Sequence, residues 1–245
     1  MTPSKGTSQR PTLYLVDGSY YIFRAYYALT RLSNSKGFPT NALFGFVGML
    51  NKLMNDMNPS YLAVTFDAKG RSFRHDMYPE YKANRDAPPE DLTPQLPYFR
   101  EIVEGYNIPC LEIPGVEADD VLGTLTRRAV EQGYDVVLIS GDKDLTQLLS
   151  EHARMVDTMR DKWMGPAEVK ERYSVEPHQM PDILGLMGDT SDNIPGVPGI
   201  GEKTAAKLVS QYGSIEGVME NLADFKGKKM GERLAENREQ AFLSR

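Results

Sequence analysis

Residues 12–18 read Thr-Leu-Tyr-Leu-Val-Asp-Gly, a short apolar run that stops at an acid. Two later stretches repeat the pattern. Leu62-Ala-Val-Thr-Phe66 is followed by Asp67, and Val136-Val-Leu-Ile139 by Ser140-Gly141-Asp142-Lys143-Asp144. Short runs rich in Val, Leu, Ile, Phe and Tyr read as buried strands, and Arg154–Val156 is a weaker fourth. Helical patterns lie between them. Asn41–Met54 repeats apolar residues at Leu43, Phe44, Val47, Leu50 and Met54, and Leu96–Glu104 is a second such stretch. Asp119–Glu131 is a third and stops near Gly133, a C-cap residue. Strands alternating with helices imply an α/β fold, a mostly parallel sheet flanked by helices on both faces.

Ligand sites of open parallel sheets lie beyond the carboxyl ends of the strands. Asp17, Asp67, Asp142 and Asp144 should therefore converge. Glu117-Ala118-Asp119-Asp120 opens a helix, the end of the dipole that favours acids. Asp189 and Asp192 are spaced i, i+3 and share a face if their segment is helical. A lone Asp at any of these places is usually a cap or turn residue, and capping alone would account for Asp119 or Asp120. Capping does not account for the set. So many like charges within a few ångströms repel strongly, and protons or cations must compensate. No His or Cys accompanies them at ligand spacing. All-oxygen ligation selects hard cations such as Mg²⁺ or Mn²⁺. Two such ions about 4 Å apart suit in-line attack at a phosphodiester.

The segment from Lys69 to Pro97 differs in texture. It carries Arg71, Arg74, His75, Lys82 and Arg85 with Phe73, Tyr78 and Tyr81 between them. A long insert in a compact domain is usually a functional loop or lid. After about Tyr173 strand signals cease, which predicts a core over 1–172 and a helical subdomain over 173–245. There, Gly199-Ile200-Gly201 precedes a helix running through Lys207. Glycines let backbone approach a phosphate, and the new helix offers free N–H groups. The residue after Gly201 is Glu202, so this is no P-loop. The pattern matches a helix–hairpin–helix, which holds a duplex strand by its backbone and reads no sequence.

Composition constrains less. The 245 residues are 40% hydrophobic and 25% charged, as in ordinary globular proteins. The net charge of -6 argues against a nucleic-acid partner only until the placement of the charges is considered. Cys110 is the single cysteine, so no internal disulfide forms. No apolar run approaches the ~20 residues of a membrane helix. Met1–Pro11 is polar, lacks a secretory signal and reads as a flexible tail.

Several motifs occur together and in order. They include Val16-Asp-Gly-Ser19, Phe66-Asp-Ala-Lys69, Phe73-Arg74, Tyr81-Lys82-x-x-Arg85 and Gly115-Val-Glu-Ala-Asp-Asp120. Gly141-Asp-Lys-Asp-Leu145 and Gly188-Asp-x-Ser-Asp-Asn-Ile-Pro-Gly-Val-Pro-Gly-x-Gly-Glu-Lys-Thr-Ala205 complete the set. From about residue 11 to 245 the chain resembles the 5′ nuclease domain of bacterial DNA polymerase I, within the flap endonuclease family. The resemblance implies a PIN-like core, a helical arch at about 69–97 and a C-terminal helix–hairpin–helix. It implies two divalent ions. Asp17, Asp67, Glu117 and Asp119 resemble ligands of one, and Asp142, Asp144 and Asp192 resemble ligands of the other. Asp119 or Asp120 stands between the two and Asp189 lies further out, with the partition left open. Lys82 and Arg85 resemble residues that meet the scissile phosphate. Tyr81 resembles a base-stacking residue and Arg24 a phosphate contact. Arg74, Gly199, Gly201, Lys203 and Thr204 belong with the DNA contacts, with K⁺ at the hairpin. The implied activity is metal-dependent 5′ cleavage of nicked or branched duplex DNA with a 5′ flap, and of RNA primers. The implied setting is a monomer in the bacterial cytoplasm, either stand-alone or followed by a polymerase module. A PIN-type ribonuclease has no need of the hairpin or the basic arch. A non-catalytic branched-DNA binder has no need of the intact acids.

Overall fold

The computed structural model describes residues 10–245, so most of the stretch read as a flexible tail lies outside the described residues. The strands are β1 (Thr12–Asp17), β2 (Tyr61–Thr65), β3 (Cys110–Leu111), β4 (Asp135–Ile139), β5 (Ala153–Asp157) and β6 (Lys162–Met164). They form one sheet in the order β3-β2-β1-β4-β5-β6. All neighbours are parallel except β5 and β6. The α/β architecture expected from the alternation is present. Neither the two-residue β3 nor the antiparallel β6 was foreseen, because both are too short to show a period.

Sheet pleating sends successive residues to opposite faces. Leu15, Val136, Leu138 and Met155 enter one core, and Val16, Val137, Ile139 and Val156 enter the other. The second core is closed by α1 (Gly18–Ala28), α2 (Asn41–Met57) and, beyond the short α3 (Phe73–Met77), by α4 (Leu96–Gly105). The buried stripe of α2 is Ala42, Phe46, Met49, Leu50 and Leu53, while Phe44 is exposed. The helix is where the sequence put it, but its inward face is turned from the expected one.

The first core is covered by α5 (Ala118–Glu131) and α6 (Pro166–Tyr173). It continues without a break into α7 (Met180–Met187), α8 (Glu202–Tyr212), α9 (Ile215–Glu220), α10 (Lys229–Glu236) and α11 (Arg238–Ser244). Leu15 and Leu138 of the sheet thus share one apolar cluster with Ile183, Val209 and Leu234. The sheet and the C-terminal helices are packed together rather than strung on a linker. Among the described residues, no helix is long and apolar enough to cross a membrane.

β1 lies between β2 and β4, the point at which the chain stops building the sheet to one side and begins on the other. Such a switch point leaves a crevice at the carboxyl ends of the strands. Gly18 tightens it. A Cβ at residue 18 would collide with the Phe66 ring and lie 2.6 Å from the Thr65 carbonyl oxygen. Only glycine lets the end of β1 sit this close to the end of β2.

Candidate active site

The crevice is a cleft of about 920 Å³. Asp17, Asp67, Glu117, Asp119, Asp120, Asp142, Asp144, Asp189 and Asp192 all line it, so the acids expected to converge do. Asp17 is 4% exposed and caps α1, accepting from Tyr20 N at 2.9 Å. The Ser140 hydroxyl donates to its other oxygen at 2.9 Å. Asp67 accepts from Ala118 N at 2.8 Å, which ties the end of β2 to the start of α5. Asp142 accepts from Asp144 N at 2.9 Å inside its own turn.

The electrostatics register the crowding. Burial first, and then the charges of Asp142 and Asp67, push the Asp17 carboxyl up to about 6 against hydrogen bonds that oppose the shift. Burial followed by the charges of Asp17, Asp142, Asp67 and Asp144 pushes Asp119 up to about 8. Burial and Asp142 also raise Asp144. Among the described residues neither Asp17 nor Asp119 is ion-paired, Asp144 meets Lys143, and the donors are all carboxylate oxygens. That donor set fits hard divalent ions.

The outer acids are held differently. Lys82 Nζ donates to Glu117 Oε2 at 2.9 Å and lies 3.8 Å from Asp192, while the Arg85 guanidinium pairs with Asp192. Lys143 bridges Asp144, at 3.0 Å, and Asp189. Burial would raise Glu117 and Asp189, but Lys82 and Lys143 outweigh it and hold both below the usual carboxylate range. With side chains drawn onto these cations, no group of three or more His, Cys, Asp or Glu among the described residues stands ready-made around one point. The gathering is of charge; closing round an ion takes side-chain rotation.

The structure modifies several expectations. Asp120 lines the cleft with the other acids but is committed to Arg74. It takes a fork of two hydrogen bonds from Arg74, at 2.7 and 2.9 Å, and caps α5 by accepting from Glu117 N at 2.9 Å. Adjacent helical residues point about 100° apart, so Asp119 and Asp120 cannot share a direction. Tyr81, expected to stack on a base, is 5% exposed, with its hydroxyl between Glu117 Oε2 at 2.9 Å and Asp192 Oδ2 at 3.1 Å. Lys82 and Arg85 lie on a turn rather than a helix, with Lys82 at φ +56° and its N–H on the Asp192 carbonyl. Within 69–97 the chain forms α3, a short 3-10 helix at Thr93–Gln95 and the start of α4, with turns and irregular backbone between them. Asp189 and Asp192 also lie outside any helix. A bridge between Asp189 and Ile194 closes their loop.

Arg24 is not among the cleft-lining residues, and its buried Nε has no hydrogen-bond partner among the described residues. In the hairpin, Gly199 has φ +79°, a region costly for any side chain, and Gly201 caps α8. Lys203 is exposed in the first turn of α8, and Thr204 N bonds back to the Gly201 carbonyl at 3.0 Å. Residues without an expected role also contribute. Lys143 sat inside a recognised acidic motif, where its charge was the available signal. Asp157 ends β5 beside Tyr20 and Gly141, but its strand was only weakly marked. Arg233 lies against Gly199 from α10, a contact no local pattern announces.

A parallel sheet whose switch point gathers acids under a cationic lid, beside a glycine hairpin, defines a metal-dependent nuclease. A family model described as 5'-3' exonuclease, N-terminal resolvase-like domain, matches residues 12–174. A second, 5'-3' exonuclease, C-terminal SAM fold, matches 175–245. The chain belongs to the 5′-3′ exonuclease family. It is 43% identical over 214 residues to a 5'-3' exonuclease of Aquifex aeolicus, covering 87% of this chain and 74% of that one. It is 44% identical over 242 residues to DNA polymerase I of Bacillus subtilis, covering 97% of this chain but 28% of that protein. Among solved structures it superposes on bacteriophage T5 5'-exonuclease with bound zinc at a TM-score of 0.80 and 26% identity, covering 95% and 87% of the two chains. A T5 flap endonuclease complex with DNA and metal ions gives 0.79 and 27%, with the same coverage of 95% and 87%.

Proposed function

We propose that this chain is a structure-specific 5′ nuclease. Its substrates are nicked or branched duplexes with a 5′ flap, or RNA primers, and it leaves 5′-phosphate ends. The observation that carries this reading is the convergence of nine acids, Asp17, Asp67 and Asp119 among them, on one cleft at the switch point of the sheet. Two Mg²⁺ or Mn²⁺ ions would fit this donor set and supply an activated water and stabilisation of the leaving oxygen. Asp17, Asp67, Glu117 and Asp119 would hold one, and Asp142, Asp144 and Asp192 the other.

The chain's own residues do the rest. Lys82 and Arg85 line the same cleft and pair with Glu117 and Asp192, so a phosphodiester entering there exchanges these carboxylate partners for its own oxygens. Arg74, fixed by Asp120, holds α3 against α5 at the rim. The hairpin Gly199–Gly201 holds one duplex strand through backbone N–H groups, with room for a K⁺ ion between carbonyls and phosphate. Contacts of this kind position the substrate and read no bases. The partial coverage of DNA polymerase I supports a place beside a polymerase module in replication or repair.

The decisive experiment incubates labelled 5′-flap DNA with the protein in Mg²⁺ and in EDTA. Cleavage at the junction in Mg²⁺ alone, leaving 5′-phosphate ends, is expected. Binding without cleavage in either condition would make this chain a branched-DNA binder instead.

A further inference from the structure

The loop that carries Asp189 and Asp192 begins and ends at two glycines that touch. Gly188 has φ +70° and Gly196 has φ +57°. A Cβ at residue 188 would lie 2.4 Å from the Ile194 carbonyl oxygen, and one at residue 196 would lie 2.2 Å from Gly188 N. Just inside this neck, Asp189 N and Ile194 N each donate to the other's carbonyl, at 2.8 and 2.7 Å. The neck is thereby closed, but the N–H and carbonyl of buried Gly196 still need partners.

Both groups find side chains of α11. Gly196 N donates to Ser244 Oγ at 3.2 Å, and Gln240 Nε2 donates to the Gly196 carbonyl. Gln240 and Ser244 are four residues apart, so they share one face of the helix. The Ser244 hydroxyl is buried and requires such a partner. Close packing seats α11 for this contact. A Cβ at Gly185 of α7 would lie 2.9 Å from the Ala241 carbonyl oxygen. Arg245, next in the chain, pairs with Asp182 of α7 at 3.0 Å and with Glu216 of α9 at 2.7 Å. Ser244 and Arg245 also line the acidic cleft, so this end of the chain forms part of its wall.

Gly196 is the joint at which the acidic loop passes into the hairpin. The joint reads Pro195-Gly196-Val197-Pro198, directly before Gly199. Proline fixes its own φ and restricts the residue before it, so the chain is stiff on both sides of the glycine that α11 grips. We propose that Gln240 and Ser244 are positioning residues for cleavage, holding the loop of Asp189 and Asp192 in register with the hairpin through Gly196. With the grip intact, the acids of the loop and a duplex strand held at the hairpin keep one separation. Without it the loop shifts against the hairpin, and a neighbouring phosphodiester can reach the acids. This inference rests on the 5′ nuclease reading above and assigns that site two further residues.

The test uses Ser244→Ala and Gln240→Met, each of which removes one hydrogen bond to Gly196, and Glu239→Ala, exposed on the same helix, as control. Gln240 is half-buried, so Gln240→Met carries the test if Ser244→Ala fails to fold. Native-state hydrogen exchange in EDTA, without DNA, reads the loop itself. The Asp189 and Ile194 amides should exchange about fivefold faster in either variant, the scale of one lost hydrogen bond, and at the parent rate in the control. On a 5′-flap substrate in Mg²⁺, the share of product cut one nucleotide away from the main site should rise by a similar factor. Parent exchange rates in both variants, or faster exchange spread over the whole chain, would overturn the proposal. So would an unchanged cutting position in variants whose loop exchanges faster. A parent that cuts no flap substrate would overturn the nuclease reading alone, while loop-specific exchange would still support the hold of α11 on the loop.

Discussion

Lys82 Nζ stands 2.9 Å from Glu117 Oε2, so a cation of the long insert rests on the carboxylate that opens α5. A divalent ion held by Glu117 would displace Lys82 and leave it free to meet a substrate phosphate. Lys82→Ala and Arg85→Ala should therefore lower the single-turnover rate by at least about tenfold, or 1.4 kcal/mol of transition-state stabilisation. Affinity for a flap substrate should change much less. If both variants keep parent rates and lose only affinity, the two cations are general clamps.

Asp119 and Asp120 are neighbours with opposite expected consequences. Asp119→Asn removes a carboxylate from the mutually repelling set, and Asp142→Asn does the same from the other side. Both should reduce cleavage to below a few per cent, with junction binding intact or tighter. Asp120→Asn breaks the fork to Arg74 but leaves the acid set complete. It should keep divalent-ion affinity near the parent value and lose stability, by about 1–3 kcal/mol for a charged hydrogen-bonded pair. Calorimetric Mg²⁺ titration of the three variants distinguishes them. Equal loss of metal binding by Asp120→Asn would place its carboxylate at the ion.

Asp17 and Asp119 have folded-state pKa values of about 6 and about 8, above those of an unfolded chain. An acid with a raised folded pKa binds its proton more tightly when folded, so ionisation favours the unfolded state. Between pH ~4 and ~8 these two groups make the metal-free protein less stable as pH rises. The lowered acids Glu117, Asp120 and Asp189 act in the opposite sense, but only below their ordinary range. Divalent ions displace the protons and stabilise the folded state. Melting curves at pH 5, 7 and 8.5 should show Tm in EDTA falling over this interval and the Mg²⁺ increment growing. An increment independent of pH would mean the acids are not coupled to the metal.

Gly18→Ala should be costly for so small a change. The added methyl collides with Phe66 and the Thr65 carbonyl, and overpacking of this kind costs about 1–3 kcal/mol. The strain falls between the ends of β1 and β2, so Asp17 and Asp67 should separate. Urea unfolding should report the destabilisation and Mg²⁺ titration a weakened site. A variant with parent stability would show that β1 can shift without cost.

The sequence by itself determined the sheet and the convergence of its acids. Three apolar runs followed at once or within three residues by aspartate, alternating with helical patterns, implied parallel strands, and parallel strands put their carboxyl ends on one edge. It also marked the hairpin, because glycine favours the positive φ that Gly199 adopts there. The tertiary structure decided what each acid faces. Asp119 and Asp120 look alike in sequence, and only the docking of α5 on the sheet turns one inward and the other to Arg74. Tyr81 has an amphipathic ring that local sequence leaves free. Its burial follows from Glu117 and Asp192, which lie 36 and 111 residues away in the chain. Residues 81–85 and 189–192, whose spacing would share a face in a helix, lie outside any helix, and Lys82 N bonds to the Asp192 carbonyl between them. Periodicity reports local preference. A hydrogen bond between segments a hundred residues apart overrides it, and no local pattern encodes that bond.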